Sequence, residues 1–211
     1  MASSLLSEIP FGSFLVYSPH GTTPVSVRSR HFCQGVKTGN TAALRSIVDR
    51  LVRDFDSTGL SAVLGPEVTL VPAPRSGVLV AGGLWPARLI ADALVEARLG
   101  AAVLPALRRT EAVPKSAFQR RGERPDAVRH FETMSAEPAL AGRRITIVDD
   151  VLTKGNTLLA ATSRVAEAFP RATVSAFGVV RTMGLQPDVE ALIAPCMGTI
   201  RLVGRDASRS P

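Results

Sequence analysis

One segment, RRITIVDDVLTKGNTLLAA at residues 143–161, constrains the fold more than any other part of the sequence. Residues 145–148 form a short apolar run typical of a buried strand, and it ends in the adjacent carboxylates Asp149 and Asp150. A loop at 153–157 then leads into a helical pattern. Backbone amides at such a loop carry the positive end of the helix dipole and favour an anion. The segment therefore predicts a strand, loop and helix with an anion site at their junction.

The same alternation of strands and helices recurs along most of the chain. Short apolar runs predict strands at 68–73, 101–107, 143–150 and 172–180. Apolar residues at helical spacing predict helices at about 42–55, 84–99 and 154–170. Alternation of this kind predicts an α/β fold, in which a mainly parallel twisted sheet is flanked by helices and ligands bind at the carboxyl ends of its strands.

The two ends of the chain are predicted to differ from this core. Two β-rich stretches within residues 13–36 are separated by SPHGTTP, whose prolines and glycine favour a turn, so a β-hairpin is predicted there. We therefore divide the chain into an N-terminal hairpin or hood at 1–40, an α/β core at 41–203 and a disordered tail at 204–211.

Composition and charge exclude several classes of protein. Lys and Arg number 25 against 18 Asp and Glu, so the formal net charge is 25 − 18 = +7, which suits an anionic ligand. The two cysteines, Cys33 and Cys196, are too few for a disulfide framework or a four-thiolate zinc site, and a reducing compartment fits them best. No apolar run approaches the roughly 20 residues that a bilayer crossing needs, and no secretory signal is recognised. A cytoplasmic location is expected.

The paired carboxylates suggest what kind of anion the junction would bind. Thr153 and Thr157 add hydroxyl donors to the loop amides, and Gly155 lacks a side chain that would block close approach. Asp149 and Asp150 would lie about one sugar away from the bound phosphate, where they could accept hydrogen bonds from vicinal hydroxyls or help to hold hydrated Mg²⁺. This geometry fits a ribose 5-phosphate, and the alternative is a strand that ends before a helix which merely caps itself.

The same segment resembles the signature of type I phosphoribosyltransferases, in which a hydrophobic strand, two acidic residues, two apolar residues and a T-x-G-x-T-like loop bind phosphoribosyl pyrophosphate. The resemblance implies that Asp149 and Asp150 contact the ribose hydroxyls and act in catalysis, with Mg²⁺ as cofactor. The 5-phosphate loop would then consist of Thr153, Lys154, Gly155, Asn156 and Thr157. Lys154 replaces the usual Thr or Ser, and it either supplies charge to the phosphate or points away. Thr153 replaces the aspartate of enzymes that act on 6-oxopurines, so hypoxanthine and guanine are not the expected acceptors.

A wider resemblance extends over most of residues 13–182. GVKTGN at 35–40, LVPAP at 70–74, the basic stretch at 107–131 and the 145–157 motif together look like the ComF family, bacterial phosphoribosyltransferase-like proteins linked to DNA uptake. The zinc ribbon that begins many members is not found in this sequence. The resemblance implies an alternative function, a non-catalytic module that retains a phosphoribosyl ligand site and contacts single-stranded DNA or a DNA-processing protein. Many relatives pair as dimers, and the resemblance leaves two alternatives open here, a monomer and a homodimer.

Two further loops are candidates for pyrophosphate binding. Related enzymes place a pyrophosphate turn after the first core strand, where this chain has Arg75, Ser76 and Gly77. The arginine and serine could donate to pyrophosphate oxygens and the glycine would allow an unusual backbone angle, or the loop is an ordinary turn. The long basic segment 108–130 is predicted to form a mobile flap, a surface that tracks a nucleic-acid backbone, or a solvated loop. Its basic candidates are Arg108, Arg109, Lys115, Arg120, Arg121 and Arg124.

Overall fold

The structure, a computed structural model, describes residues 4–114, 125–139, 141–184, 186 and 188–211. In chain order its strands are β1 (Glu8–Tyr17), β2 (Val68–Pro72), β3 (Ala102–Val103), β4 (Leu107–Arg109), β5 (Met134–Ala136), β6 (Arg144–Leu152), β7 (Thr173–Thr182), β8 (Ile193–Val203) and β9 (Asp206–Ser210). Its α-helices are α1 (Pro24–Lys37), α2 (Thr41–Thr58), α3 (Pro86–Glu96), α4 (Ala127–Glu132) and α5 (Asn156–Ala168).

Seven of these strands form one central sheet in the order β3-β2-β6-β7-β1-β8-β9. The first five strands in that order pair in parallel, whereas β8 and β9 are added antiparallel to one edge. Strands β4 and β5 form a separate antiparallel pair. The predicted mainly parallel sheet is therefore confirmed.

Helices cover both faces of the sheet, as a mainly parallel sheet requires. Helices α1, α2 and α3 enclose one apolar cluster, which includes Phe14, Leu51 and Phe177. Helices α4 and α5 enclose a second cluster on the opposite face, which includes Phe11 and Ile147. No helix in the described part of the chain is long and apolar enough to cross a bilayer.

The predicted N-terminal β-hairpin is wrong. Strand β1 lies inside the sheet between β7 and β8, and the second half of the predicted hairpin is the 14-residue helix α1. The Thr23 side chain caps this helix by accepting from the Ser26 amide, and Pro24 occupies its first turn. Its buried positions, Ser26, Ser29, Cys33 and Val36, recur at helical spacing, but small polar residues on this face obscure the pattern.

The predicted disordered tail is also wrong, because residues 206–210 form the edge strand β9. Gly204 adopts a φ of 63° in the turn from β8, and β9 then pairs antiparallel with β8 from Asp206 to Ser210. Ala207 is buried against the α5 face of the sheet. A polar strand is sufficient here because its backbone pairs with β8 and its two serines, Ser208 and Ser210, are exposed.

Candidate functional site

The predicted sites meet at the carboxyl ends of two neighbouring strands, β2 and β6. Pro72 lies opposite Val148 in the parallel ladder, and the Ala73 amide donates to the Val148 carbonyl at 2.8 Å. This pairing places the loop that begins at Ala73 directly beside Asp149. The indole nitrogen of Trp85 donates to the Ala73 carbonyl at 2.7 Å and fixes the start of that loop.

Asp149 and Asp150 lie near the end of strand β6, which continues two residues beyond them to Leu152. One oxygen of each carboxylate accepts a backbone amide of the next residue at 2.9 Å. Burial raises the pKa of Asp149 well above its usual value, and the neighbouring charge of Asp150 raises it further. The guanidinium of Arg109 acts in the opposite direction on this pKa. Ionising both carboxylates is therefore unfavourable, and a bound cation or hydroxyl donors would offset this cost.

The donor set at this pair fits Mg²⁺ only in part. Among the described residues no group of three or more His, Cys, Asp or Glu side chains lies close enough to enclose a metal ion. Each of the two carboxylates retains one oxygen that no backbone amide occupies. Mg²⁺ is commonly held by one or two carboxylates together with water and substrate phosphates. Asp149 and Asp150 therefore suit a metal that arrives with a phosphorylated ligand.

The loop after β6 presents free backbone donors at the start of α5. Gly155 is the N-cap residue, and no side chain caps the helix. Within the described part of the chain, the amides of residues 153–157 donate to no protein acceptor. Helix N-termini leave such amides unpaired, and together with the helix dipole they form an anion site. Thr157 is half-buried in the first turn, and its hydroxyl has no hydrogen bond to another described residue.

Gly155 is required by the backbone of this loop. Its φ is +103°, a conformation that side chains rarely adopt, and an added Cβ would lie 2.8 Å from the Ile200 side chain of β8. By contrast, Gly77 has no φ in the left-handed region, and an added Cβ would meet nothing within 4 Å. The prediction that Gly77 allows an unusual backbone angle is therefore wrong.

We expect Gly155→Ala to destabilise the protein by about 1–3 kcal/mol, because the new side chain is strained by both φ and Ile200. Gly77→Ala should change the free energy of unfolding by less than about 0.5 kcal/mol. Urea unfolding of both variants checks the contrast. Equal effects from the two substitutions would contradict the assigned loop geometry.

Lys154 and Asn156 both bind Asp206 at the start of β9. The Lys154 ammonium donates to one carboxylate oxygen at 2.9 Å, and the Asn156 amide nitrogen donates to the other at 3.0 Å. Asn156 also donates to the Pro125 carbonyl and accepts the Ala207 amide at 2.6 Å. Lys154 and Asp206 are largely exposed, whereas Asn156 is half-buried. Asn156 is thus the residue that ties the loop to the rest of the fold.

Arg75 is exposed and Ser76 is half-buried, and both are anchored through their carbonyls. Arg109 Nε donates to the Arg75 carbonyl at 3.1 Å, and the Val113 amide donates to the Ser76 carbonyl at 2.7 Å. The Arg75 side chain therefore remains available at a loop whose backbone is fixed from two sides. Its predicted role in binding pyrophosphate stays a prediction.

The sequence predicts Arg109 in a flexible basic loop, as part of a flap, a nucleic-acid surface or a solvated segment, and this placement is wrong. Its residue is only 5% exposed, in strand β4. Besides Arg75, the guanidinium bonds Thr133 Oγ1 at 2.7 Å and the His130 ring at 3.2 Å. Burial lowers the pKa of Arg109 to about 10, although the charge of Asp149 opposes this shift. Arg109 is a buried cation that connects strand β4 to the loop after β2 through the Arg75 carbonyl.

The other basic candidates provide no described cationic surface. Arg108 is exposed and forms an ion pair with Glu137 at 3.1 Å. The remaining four, Lys115, Arg120, Arg121 and Arg124, lie outside the described residues. No contact in the described part of the chain therefore favours the alternative of a nucleic-acid-binding module.

The buried His130 predicts how the free energy of unfolding depends on pH. Burial lowers the pKa of His130 to about 4, and the nearby Arg109 charge lowers it further. A histidine whose folded pKa lies below its usual value stabilises the fold above about pH 6.5, and that contribution is lost as the pH falls toward 4. We expect the free energy of unfolding to fall by roughly 2 kcal/mol between pH 7 and 5 on this account.

Urea titrations of the wild type and of His130→Asn at these two pH values test the assignment. The asparagine oxygen can still accept from Arg109, so the variant should fold with a flatter pH dependence. Exposed His20 serves as the matched control, and His20→Asn should keep the wild-type slope. An unchanged slope in His130→Asn would contradict the role given to this histidine.

Three residues that contact the loop were not expected from the sequence. Asp206, Ala207 and Arg209 belong to β9, and Arg209 Nε donates to the Thr153 carbonyl at 2.5 Å. The local signal for this strand is weak: Ala207 and Arg209 are two residues apart, the spacing that places side chains on one face of a strand.

Residues 46–184 match the family model described as phosphoribosyl transferase domain. No curated protein matches the chain. Among solved structures, adenine phosphoribosyltransferase from Leishmania tarentolae is similar with a TM-score of 0.36 and 16% identity, over 66% of this chain and 71% of that chain. The corresponding enzyme from Leishmania donovani has a TM-score of 0.34 and 15% identity, over 84% of each chain.

Proposed function

The chain belongs to the phosphoribosyl transferase domain family, and from this premise we propose that it binds phosphoribosyl pyrophosphate with Mg²⁺ and transfers ribosyl phosphate to an acceptor, releasing pyrophosphate. The observation that carries the proposal is the junction of β6 and α5. There, two carboxylates precede a loop whose amides are free, directly beside the loop that follows β2.

Each part of the junction has a role in binding the donor. The amides of residues 153–157 and the Thr157 hydroxyl would hold the 5-phosphate at the positive end of α5. Asp149 and Asp150 would accept hydrogen bonds from the ribose hydroxyls. The loop with Arg75 and Ser76 lies on the β2 side, where it would receive the pyrophosphate. The end of β6 would thus bind the 5-phosphate and the ribose, and the loop after β2 would bind the pyrophosphate.

In the proposed reaction the bond between C1 of the ribose and the pyrophosphate oxygen breaks, and the oxygen keeps the electron pair. The acceptor nucleophile forms the new bond to C1. Arg75 would stabilise the charge of the leaving pyrophosphate, while Asp149 and Asp150 would offset positive charge developing on the ring. Bound Mg²⁺ would supply further neutralising charge to the pyrophosphate oxygens. Arg109 would act indirectly, by fixing the Arg75 carbonyl.

Isothermal titration with phosphoribosyl pyrophosphate tests the proposal. The wild type should bind the donor in the presence of Mg²⁺ and more weakly without it, and the double variant Asp149→Asn, Asp150→Asn should lose this binding. Asp92→Asn removes an exposed carboxylate of α3 and is the matched control. Equal binding by the wild type and the double variant, or no binding by the wild type, would overturn the assignment.

A further inference from the structure

In the described part of the chain, two arginines near the 153–157 loop have no carboxylate partner. Arg181 of β7 is 7% exposed, and its guanidinium contacts Ser13 Oγ, Met183 Sδ and the Ala194 carbonyl at 3.2–3.5 Å. Among the residues that the structure describes, the acceptors of Arg209 in β9 are the carbonyls of Thr153 and Thr182. Within the described residues, neither arginine has an Asp or Glu oxygen within 4.0 Å.

Hydrogen bonds bring Arg209 to the end of the strand that carries Arg181. Arg209 reaches the carbonyl of Thr182, the residue that follows Arg181 in β7. Ser13, whose hydroxyl accepts from Arg181 Nε, lies opposite Cys196 of β8. Burial lowers the pKa of Arg209, and the charge of Arg181 lowers it further. The pair thus concentrates positive charge on the β7–β1–β8 side of the loop.

Such an arrangement is costly without an anion. A partly desolvated cation is normally paired with an opposite charge, and here two like charges are held together by uncharged acceptors. The contacts to Arg181 are also long, which leaves its donors weakly satisfied. An oxyanion between the two guanidiniums would complete both hydrogen-bonding forks and remove the repulsion.

We propose that Arg181 and Arg209 form an oxyanion subsite beside the phosphate loop, which takes a carboxylate or phosphate group. The subsite is distinct from the free amides of α5, because Arg209 binds the Thr153 carbonyl. In a trans peptide this oxygen points away from the amide of Lys154. The strand order places the subsite on the opposite side of β6 from Arg75. The oxyanion could come from an acceptor substrate or from the sugar 5-phosphate itself.

The subsite does not depend on the proposed donor, so inorganic sulfate is a suitable first probe. Nitrogen-15 NMR resolves arginine Nε–Hε signals, and those of Arg181 and Arg209 can be assigned from the variants Arg181→Met and Arg209→Met. Sulfate should shift both signals saturably in the wild type. Either variant should weaken sulfate binding at the remaining arginine by about tenfold or more, since a charge-assisted hydrogen bond is lost.

Arg201→Met is the matched control, because Arg201 lies on β8 but is exposed and paired with Glu8. It should leave the sulfate response of the pair unchanged. Arg181 is buried, and its variant could fold poorly. Arg209→Met, at a half-buried position on the edge strand, therefore keeps the test valid on its own. No sulfate response at the pair, or an equal response after Arg209→Met, would overturn the proposal.

A second titration identifies the source of the anion and separates this proposal from that of the donor site. If saturating ribose 5-phosphate displaces sulfate from the pair, the subsite serves the sugar phosphate. If sulfate remains bound beside ribose 5-phosphate, the subsite serves a separate anionic ligand such as the acceptor. If the wild type binds sulfate at the pair but no phosphoribosyl pyrophosphate, the donor proposal fails while the subsite stands.

Discussion

Replacing Asp149 by asparagine is expected to abolish measurable binding of phosphoribosyl pyrophosphate and, at the same time, to raise the melting temperature of the protein without ligand. The two effects have one cause. Asp149 is half-buried beside Asp150, and the raised pKa of Asp149 means that the folded state disfavours its ionised form. A carboxyl with a raised pKa stabilises the fold when protonated, and that contribution is lost as the pH rises through its folded pKa. Asparagine removes the half-buried charge at neutral pH.

The expected magnitudes separate the two readouts. Loss of charge-assisted hydrogen bonds to two hydroxyls should weaken donor binding by about 100-fold or more. The melting temperature should rise by about 2–4 °C, the change that about 1 kcal/mol produces in a chain of this size. Calorimetric titration and differential scanning calorimetry measure these effects at pH 7.

The pH dependence provides a further check on the cause. The stabilising effect of Asp149→Asn should diminish as the pH falls and the wild-type carboxyl becomes protonated. Asp206→Asn is the matched control, because the Lys154 ammonium holds the pKa of Asp206 below its usual value. Its neutralisation should give no increase in stability. A lower melting temperature for Asp149→Asn would contradict the electrostatic strain assigned to the pair.

The central part of this site could be predicted from the sequence because its signals are local. A buried strand, two carboxylates, a glycine and a helix follow one another within residues 143–161, and chain connectivity alone brings them together. The loop after β2 was a candidate because related enzymes place a pyrophosphate turn there. Its position beside the two carboxylates follows from the pairing of β2 with β6, which the alternation of strands and helices does not specify.

The rest of the site depends on tertiary pairing that no local pattern encodes. Residues 24–37 contain β-branched and small polar residues that mimic a strand, and the Thr23–Pro24 helix start was outweighed by nearby turn residues. Strand β9 is short and polar, so its order comes from pairing with β8. Arg109 stands in a basic run that is typical of a flexible loop, yet its guanidinium is buried against Thr133 and His130.

The contacts from β9, which the sequence did not predict, show how the loop at 153–157 is held. The loop is held from three directions: by β6, by α5 and by β9, the strand that follows farthest along the chain. Backbone anion sites bind well only when their amides are already aligned, since any reordering on binding subtracts from affinity. The C-terminal strand is therefore expected to determine how strongly the loop binds an anion, although it supplies none of the loop amides.

Asn156→Ala is expected to weaken the binding of ribose 5-phosphate by about tenfold or more and to destabilise the fold by about 2 kcal/mol. The variant removes three hydrogen bonds, to the Pro125 carbonyl, to Asp206 and from the Ala207 amide. It also leaves the Pro125 carbonyl and the Ala207 amide without these partners in a half-buried region. Calorimetric titration and urea unfolding measure the two effects.

Lys154→Met distinguishes two explanations for phosphate affinity: alignment of the loop by β9, and direct binding of the phosphate by the Lys154 ammonium. Lys154 is largely exposed, and its pair with Asp206 belongs to the class of surface ion pairs that contribute little stability. If alignment by β9 controls binding, Lys154→Met should reduce the affinity for ribose 5-phosphate less than threefold, well below the effect of Asn156→Ala. If instead Lys154 leaves Asp206 to bind the phosphate, its loss should be the larger of the two and should shrink at high salt. That result would reverse the roles of the two residues in the loop.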